Sequence, residues 1–237
     1  MSEGNAAILH FFIEFRKRAL HCIIILAVVF FVLLYFANQL YTLLALPLLK
    51  HLPNHQELIA TNIVAPFFVP FELAFVVSLF ICVPFFLYQL WAFIAPALYQ
   101  REKRLAWPLL FVSTLLFYLG VAFAYFVIFP ILFGFFAHTA PQGVMVSPDI
   151  SQYLDFTLKL FFLFGLIFEV PVVTVLLVWT GIVTREYLIH IRPYIIVGAF
   201  VVGMLLAPPD VLSQTLFAIP LWLLFETGLV LARFFQK

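Results

Sequence analysis

The sequence predicts an all-α membrane protein with six transmembrane helices, and three observations carry that reading. Of the 237 residues, 66% are hydrophobic and only 10% are charged, against roughly half and a quarter in soluble domains. The apolar residues gather in long runs with little alternation of polarity, which favours helices over barrel strands. The basic residues gather between alternate runs. A water-soluble fold of this size has too little interior for so much apolar surface, so lipid is expected to be the solvent for most of the chain.

The runs fall at approximately 19–38, 69–95, 107–132, 153–179, 193–206 and 213–232, and a bilayer core needs about 20 apolar residues per helix. They are read as one polytopic membrane domain covering residues 1–237. Span 1 follows Arg16, Lys17 and Arg18. It is longer than the apolar part of a signal peptide and lacks a small-x-small cleavage site, so it is read as a retained anchor. Residues 39–68 form a long connection whose apolar stretch, 41–49, is too short to cross and is expected to lie along the membrane surface. Spans 2, 3, 4 and 6 contain Pro84, Pro130, Pro171 and Pro220. Each proline removes a helix hydrogen bond, and several proline-kinked helices are expected to form a curved, concave wall. Residues 133–152 make a second long connection, whereas 96–106, 180–192 and 207–212 are short. Span 5 has 14 residues between Pro193 and the Pro208–Pro209 pair, about 21 Å of helix. It is therefore expected to sit in thinned bilayer or behind its neighbours.

Orientation follows from Lys and Arg placement. Arg16, Lys17, Arg18, Arg101, Lys103, Arg104, Arg185, Arg192, Arg233 and Lys237, ten of the twelve basic residues, fall on one side of this topology. Both termini and the even-numbered connections are accordingly expected in the cytoplasm.

Soluble-enzyme signals are absent. A net charge of +1 supplies no field suited to nucleic acid. The glycines form no phosphate-binding loop, and no cofactor is expected. Cys22 and Cys82 lie inside apolar runs and read as core hydrophobes. His51 and His55 are separated by Pro53, which disfavours the helix that would align them on a metal.

Three acidic residues stand out. Glu14 precedes span 1 by about one turn, and Glu102 lies between Arg101 and Lys103 at the mouth of spans 2 and 3. Both are expected at the cytoplasmic membrane surface. One reading is local charge balance within a basic collar. The other is a site for a cationic ligand, best an arginine, whose planar fork pairs bidentately with carboxylate. Glu169 sits inside span 4 beside Pro171, where an acid costs about 2–3 kcal/mol or more and is expected to face a protein groove or water. A neutral acid, or one bonded to backbone freed by the proline, is the alternative. Gln214 opens span 6 as a further polar candidate. Glu72, Asp155 and Glu226 near span ends read as interfacial. Ala199 with Gly203, and Gly120 with Ala124, give small-xxx-small pairs that allow close helix approach, with span 5 a docking face for another membrane helix.

The motifs taken in order resemble the TatC family over nearly the whole chain. HFFIEFRKR, through His10, Glu14, Arg16 and Arg18, is similar to the family's N-terminal pattern. WAFIAPALYQREKR matches its first cytoplasmic loop through Phe93, Pro96, Ala97, Leu98 and Glu102. FEVP supplies Phe168, Glu169 and Pro171, and RPY supplies Arg192, Pro193 and Tyr194. VVGMLLAPPDVLSQTLFAIP resembles the span 5 to span 6 segment through Met204, Pro208, Pro209, Asp210 and Gln214, with Ala-Pro-Pro-Asp where Thr-Pro-Pro-Asp is familiar.

The resemblance implies a non-enzymatic receptor and scaffold that recognises the twin-arginine signal peptide of folded cargo. It would work with the single-span subunits TatB and TatA and with other copies of itself, using the proton-motive force. By that analogy Glu14 and Glu102 contact the arginine pair, and Arg16, Phe93, Pro96 and Leu98 shape the recognition surface. Glu169 and Gln214 line an intramembrane polar groove, Met204 and Gln214 contact partner helices, and Pro47, Pro171, Pro208, Pro209 and Asp210 are structural. The residues taken alone also suit a proton-coupled small-solute transporter with Glu169 as proton carrier.

Overall fold

The computed structural model describes residues 2–51, 59–94, 103–139, 149–206 and 211–235, nearly all of them helical. The elements are α1 (Ser2–Leu34), α2 (Ala37–His51), α3 (Ala65–Ile94), α4 (Lys103–Phe123), α5 (Phe129–Thr139), α6 (Ile150–Trp179), α7 (Arg185–His190), α8 (Arg192–Leu206) and α9 (Val211–Ala232). Among the described residues, five stretches are long and apolar enough to cross a membrane: Phe12–Leu34, Ala65–Phe93, Trp107–Leu132, Ile150–Trp179 and Gln214–Ala232. A sixth, Arg192–Met204, is apolar but shorter. The all-α class with five long spans and one short one agrees with the sequence reading, including the weak fifth span. Large apolar side chains such as Ile24, Val28, Phe31 and Phe111 are more than half exposed. Lipid tails are as apolar as these side chains, so the exposure carries no penalty in a bilayer.

Contacts divide the chain into two compact units, residues 1–44 with 63–114, and residues 45–62 with 115–237. In the first, α1 and α3 run antiparallel. Phe30 meets Phe75 at a ring-centroid distance of 5.8 Å, and Phe15 meets Phe93 at 5.9 Å. Pairs in which one number rises as the other falls fix opposed directions.

In the second unit α6 is central. Phe129 lies 5.9 Å from Tyr153 and Phe123 lies 5.5 Å from Phe168, so the α4–α5 segment is antiparallel to α6. Gly120 permits this approach, because a Cβ there would collide with the Phe164 carbonyl oxygen. The α9 helix runs parallel to α6, with Phe217 beside Phe164 and Gly228 beside Pro171 and Thr174. The α8 helix is antiparallel to α9, held close by Gly203, whose missing Cβ would lie 3.2 Å from the Gln214 carbonyl oxygen. The small face of span 5 is therefore occupied by the chain's own last helix. The membrane helix docked at Gly203 is α9 of the same chain.

The prolines leave traces. Pro130 has no N–H to give the Phe126 carbonyl, and its ring crowds that oxygen. Immediately before it the helix widens to a π turn, Ala124–Ile128, in which the Phe129 N–H reaches five residues back to the Ala124 carbonyl. Pro84, Pro171 and Pro220 lie inside helices, as do Pro70 and Pro108. The connection expected at 180–192 contains the short helix α7. Thr184 caps it by accepting from the Tyr187 N–H, and Gly181 in the preceding turn has φ 72°, a conformation that glycine takes without Cβ strain. The 41–49 stretch falls within α2.

Candidate functional site

The site is built on α1 and α3. Glu14 and Arg18 are four residues apart, so their side chains meet on one face of α1. One oxygen of Glu14, Oε1, accepts from both Arg18 Nε at 3.0 Å and Arg18 Nη2 at 2.6 Å. The third corner of the guanidinium, Nη1, donates to Gln89 Oε1 on α3 at 3.2 Å. The ion-paired side chains of Arg18 and Glu14 are 25% and 27% exposed, so solvent or a ligand reaches both. Among the described residues, Glu14 Oε2 accepts no hydrogen bond.

A groove of about 740 Å³ opens beside the pair. Glu14, Lys17, Arg18, His21 and Gln89 give it polar walls, and Ile25 and Phe85 give it an apolar end. Lys17, His21 and Ile25 succeed one another at intervals of one turn, so on that side of Glu14 the groove passes from charged to apolar along α1, while Ile13 lines it on the other side. Next to Arg18, Phe15 and Phe93 stack edge to face and border a smaller hollow of about 170 Å³. Arg16 is exposed. Of the expected recognition residues, the structure thus gathers Glu14 and Phe93 around Arg18. Pro96, Leu98 and Glu102 lie outside the described residues.

The remaining expected residues sit in the second unit. Glu169 is half-buried on α6, with its Oε1 atom fully enclosed. Pro171 is buried on the same helix. Gln214 is half-buried on α9, and its backbone supports Gly203. Met204 on α8 is 57% exposed, in line with Tyr194, Val197 and Val201, also exposed. Pro47 lies in α2. Pro208, Pro209 and Asp210 lie outside the described residues. No three His, Cys, Asp or Glu side chains gather as a metal site among the described residues.

Two polar constellations were not foreseen. Asp149 caps α6, its Oδ1 accepting from the Ser151 and Gln152 N–H groups at 2.8 and 3.1 Å. Its Oδ2 accepts from the Thr61 hydroxyl at 2.6 Å and the Thr61 N–H at 2.9 Å. The Ile150 N–H completes the seam by donating to the Ile59 carbonyl. The Thr61 hydroxyl, then its N–H, then the α6 amides hold the Asp149 carboxyl down at about 2. An Asp immediately before an apolar run signals a cap, but nothing local announces Thr61. In the other constellation, Arg192 Nη2 meets Glu226 Oε2 at 2.6 Å, bridging α8 and α9. Glu226, read as interfacial, is the partner of the arginine in RPY.

Five long apolar helices, one short apolar helix and a carboxylate–guanidinium groove within the first turns of the leading span define a multi-pass α-helical membrane protein. The family model for TatC, the Sec-independent protein translocase protein, matches residues 10–220. The chain is 56% identical over 236 residues to Sec-independent protein translocase protein TatC of Haemophilus influenzae, covering 100% of this chain and 92% of that one. It is 57% identical over 233 residues to the Escherichia coli K12 protein of the same name, covering 98% and 90%. A crystal structure described as the twin arginine translocase receptor TatC superposes with a TM-score of 0.85 at 39% identity, covering 96% of this chain and 100% of that one. The chain belongs to the TatC family.

Proposed function

We propose that this chain is the twin-arginine signal-peptide receptor and core scaffold of a Sec-independent translocase, acting without catalysis on folded cargo driven by the proton-motive force. The observation that carries this reading is Glu14, a quarter-exposed carboxylate at the edge of a graded groove, in a chain of this family. A guanidinium is the ligand group that matches a carboxylate in both charge and planar fork. Glu102 supplies the second acid, and Arg16, Phe93, Pro96 and Leu98 shape the surface around it. The apolar end of the groove suits the hydrophobic stretch that follows the arginine pair in such a peptide.

Both termini face the cytoplasm of a bacterial inner membrane, by the distribution of Lys and Arg. TatB and TatA helices dock on the second unit. Met204 stands there in an exposed apolar stripe whose spacing, Tyr194, Val197, Val201, Met204, repeats as one helix face. Glu169 and Gln214 provide the intramembrane polar groove, Pro47, Pro171, Pro208, Pro209 and Asp210 hold the frame, and further copies of the chain complete the receptor. The family assignment lends no support to a proton-coupled solute transporter.

The test is photo-crosslinking from positions 14, 93 and 102 to a synthetic signal peptide with an Arg-Arg pair and to its Lys-Lys counterpart. Selective labelling by the Arg-Arg peptide is expected, and equal labelling by both would remove the recognition claim. Charge reversal of Glu14 or Glu102 is expected to weaken binding by about 10- to 100-fold, from the loss of a charge-assisted hydrogen bond of about 1.5–3 kcal/mol, with membrane insertion intact.

A further inference from the structure

The acceptor that the receptor reading assigns to the ligand is already in use. Arg18 places two N–H donors on a single oxygen of Glu14, at 3.0 and 2.6 Å. The other oxygen, Oε2, stays open among the described residues. A guanidinium recognises a carboxylate best by two parallel bonds, one to each oxygen. While Arg18 holds Oε1 with two donors, an incoming arginine has only Oε2 and cannot make the parallel pair that spans both oxygens. An ammonium makes one bond in any case. The resident arginine therefore reduces the geometric advantage that an arginine has over a lysine, which lies in pairing with both oxygens at once.

Arg18 also has somewhere to go. Its Nη1 already touches Gln89 Oε1 at 3.2 Å, and the groove beside it is wide, about 740 Å³. Swinging the side chain onto Gln89 would release Oε1 without leaving the guanidinium bare.

We propose that Arg18 is an internal competitor for the Glu14 carboxylate, a specificity-setting residue that a twin-arginine peptide must displace onto Gln89 to gain its bidentate contact. The inference rests on the receptor reading of Glu14 given above. It makes recognition a two-stage event: a loose monodentate encounter open to any cation, then an exchange of one guanidinium for another. Only the second stage rewards arginine over lysine. A pair one-quarter exposed to solvent is partly screened, so the exchange is cheap enough to occur and costly enough to weaken false ligands.

The experiment measures binding of the Arg-Arg peptide and its Lys-Lys counterpart to the full-length chain in nanodiscs, for the unaltered protein and for Arg18→Gln, Arg18→Lys, Lys17→Gln and Glu14→Gln. Arg18→Gln is expected to tighten the Arg-Arg peptide by about three- to tenfold and the Lys-Lys peptide by less, so that the ratio of the two affinities rises. Lys17→Gln removes the same charge from the same groove without touching Glu14 Oε1, and is expected to shift both peptides equally. Arg18→Lys, which keeps the charge and gives up the fork, is expected to fall between the unaltered protein and Arg18→Gln. It carries the test if Arg18→Gln fails to insert. An unchanged or reduced Arg-to-Lys ratio in both Arg18 variants, with binding still lost in Glu14→Gln, overturns the competitor role and leaves the receptor site standing. So does an equal gain from Lys17→Gln. Full Arg-Arg binding by Glu14→Gln overturns the site assignment and the competitor role together.

Discussion

Replacing Phe164 by alanine tests what holds the second unit together. Phe164 is fully buried, with ring contacts to Phe123 at 5.7 Å and Phe217 at 5.5 Å, so it joins three helices. In a soluble core, Phe→Ala costs about 3–5 kcal/mol, of which about 1.5–3 kcal/mol is the transfer of the side chain out of water. The unfolded reference here keeps its helices in lipid, where the ring is already in an apolar medium. The transfer part drops out, and about 2 kcal/mol of lost packing remains. Leu166 on the same helix is 48% exposed, and its change to alanine is expected to stay within about 0.5 kcal/mol. Reversible denaturation in mixed micelles, followed by tryptophan fluorescence, gives both values. Equal losses for Phe164→Ala and Leu166→Ala would refute the packing argument. A Phe164→Ala loss at the full soluble-core figure of about 5 kcal/mol would refute the lipid reference state.

Other outcomes follow from the same contacts. The Asp149 carboxyl titrates at about 2, below the ordinary value of about 3.9, so its contribution to stability is complete above that ordinary value. It is lost as pH falls from about 4 towards 2; amide exchange at the start of α6 should rise over that window, and an unchanged profile in Asp149→Asn would confirm the group responsible, whereas the same rise would exclude it. Gly120→Leu pushes a side chain into the Phe164 carbonyl and is expected to cost about 1–3 kcal/mol; full stability in the micelle assay would contradict the close approach. A double-mutant cycle on Arg192 and Glu226 is expected to give a coupling of about 1 kcal/mol, a charge-assisted bond discounted for the 40% exposure of the arginine; additivity of the two single changes would deny the bridge.

The helices were legible because lipid imposes a crude rule, long apolar runs, that composition alone satisfies. Even the short α8 was visible between its prolines. Where polarity returns, the rule says less. The α1 helix continues upstream through Glu14 and Arg18, and the i,i+4 spacing in HFFIEFRKR admits their pairing, but sequence alone leaves open whether Glu14 balances a basic collar or awaits a cationic ligand. The α7 helix is six residues of mixed character held by one cap, and its Thr184–Arg185–Glu186 start was the only cue. Glu14 was legible from its place before span 1, whereas Phe93 emerged only from the resemblance to a family, because no local pattern says that a residue 79 positions from Glu14 borders the same arginine, Arg18. Asp149 with Thr61 and Arg192 with Glu226 were missed for the same reason. A polar pair that is distant in sequence has no periodicity to betray it.

The seam between Thr61 and Asp149 sets a clock on the chain's own synthesis. Its two ends are 88 residues apart, and α3, α4 and α5 lie between them. At about 5–20 residues per second, a ribosome needs about 4 to 18 seconds to deliver the aspartate after the threonine. Two spans, Ala65–Phe93 and Trp107–Leu132, must be made before the loop between the two ends can be closed. The seam therefore closes only after two spans have been made, and its closure ties residues 59–61 to the start of α6.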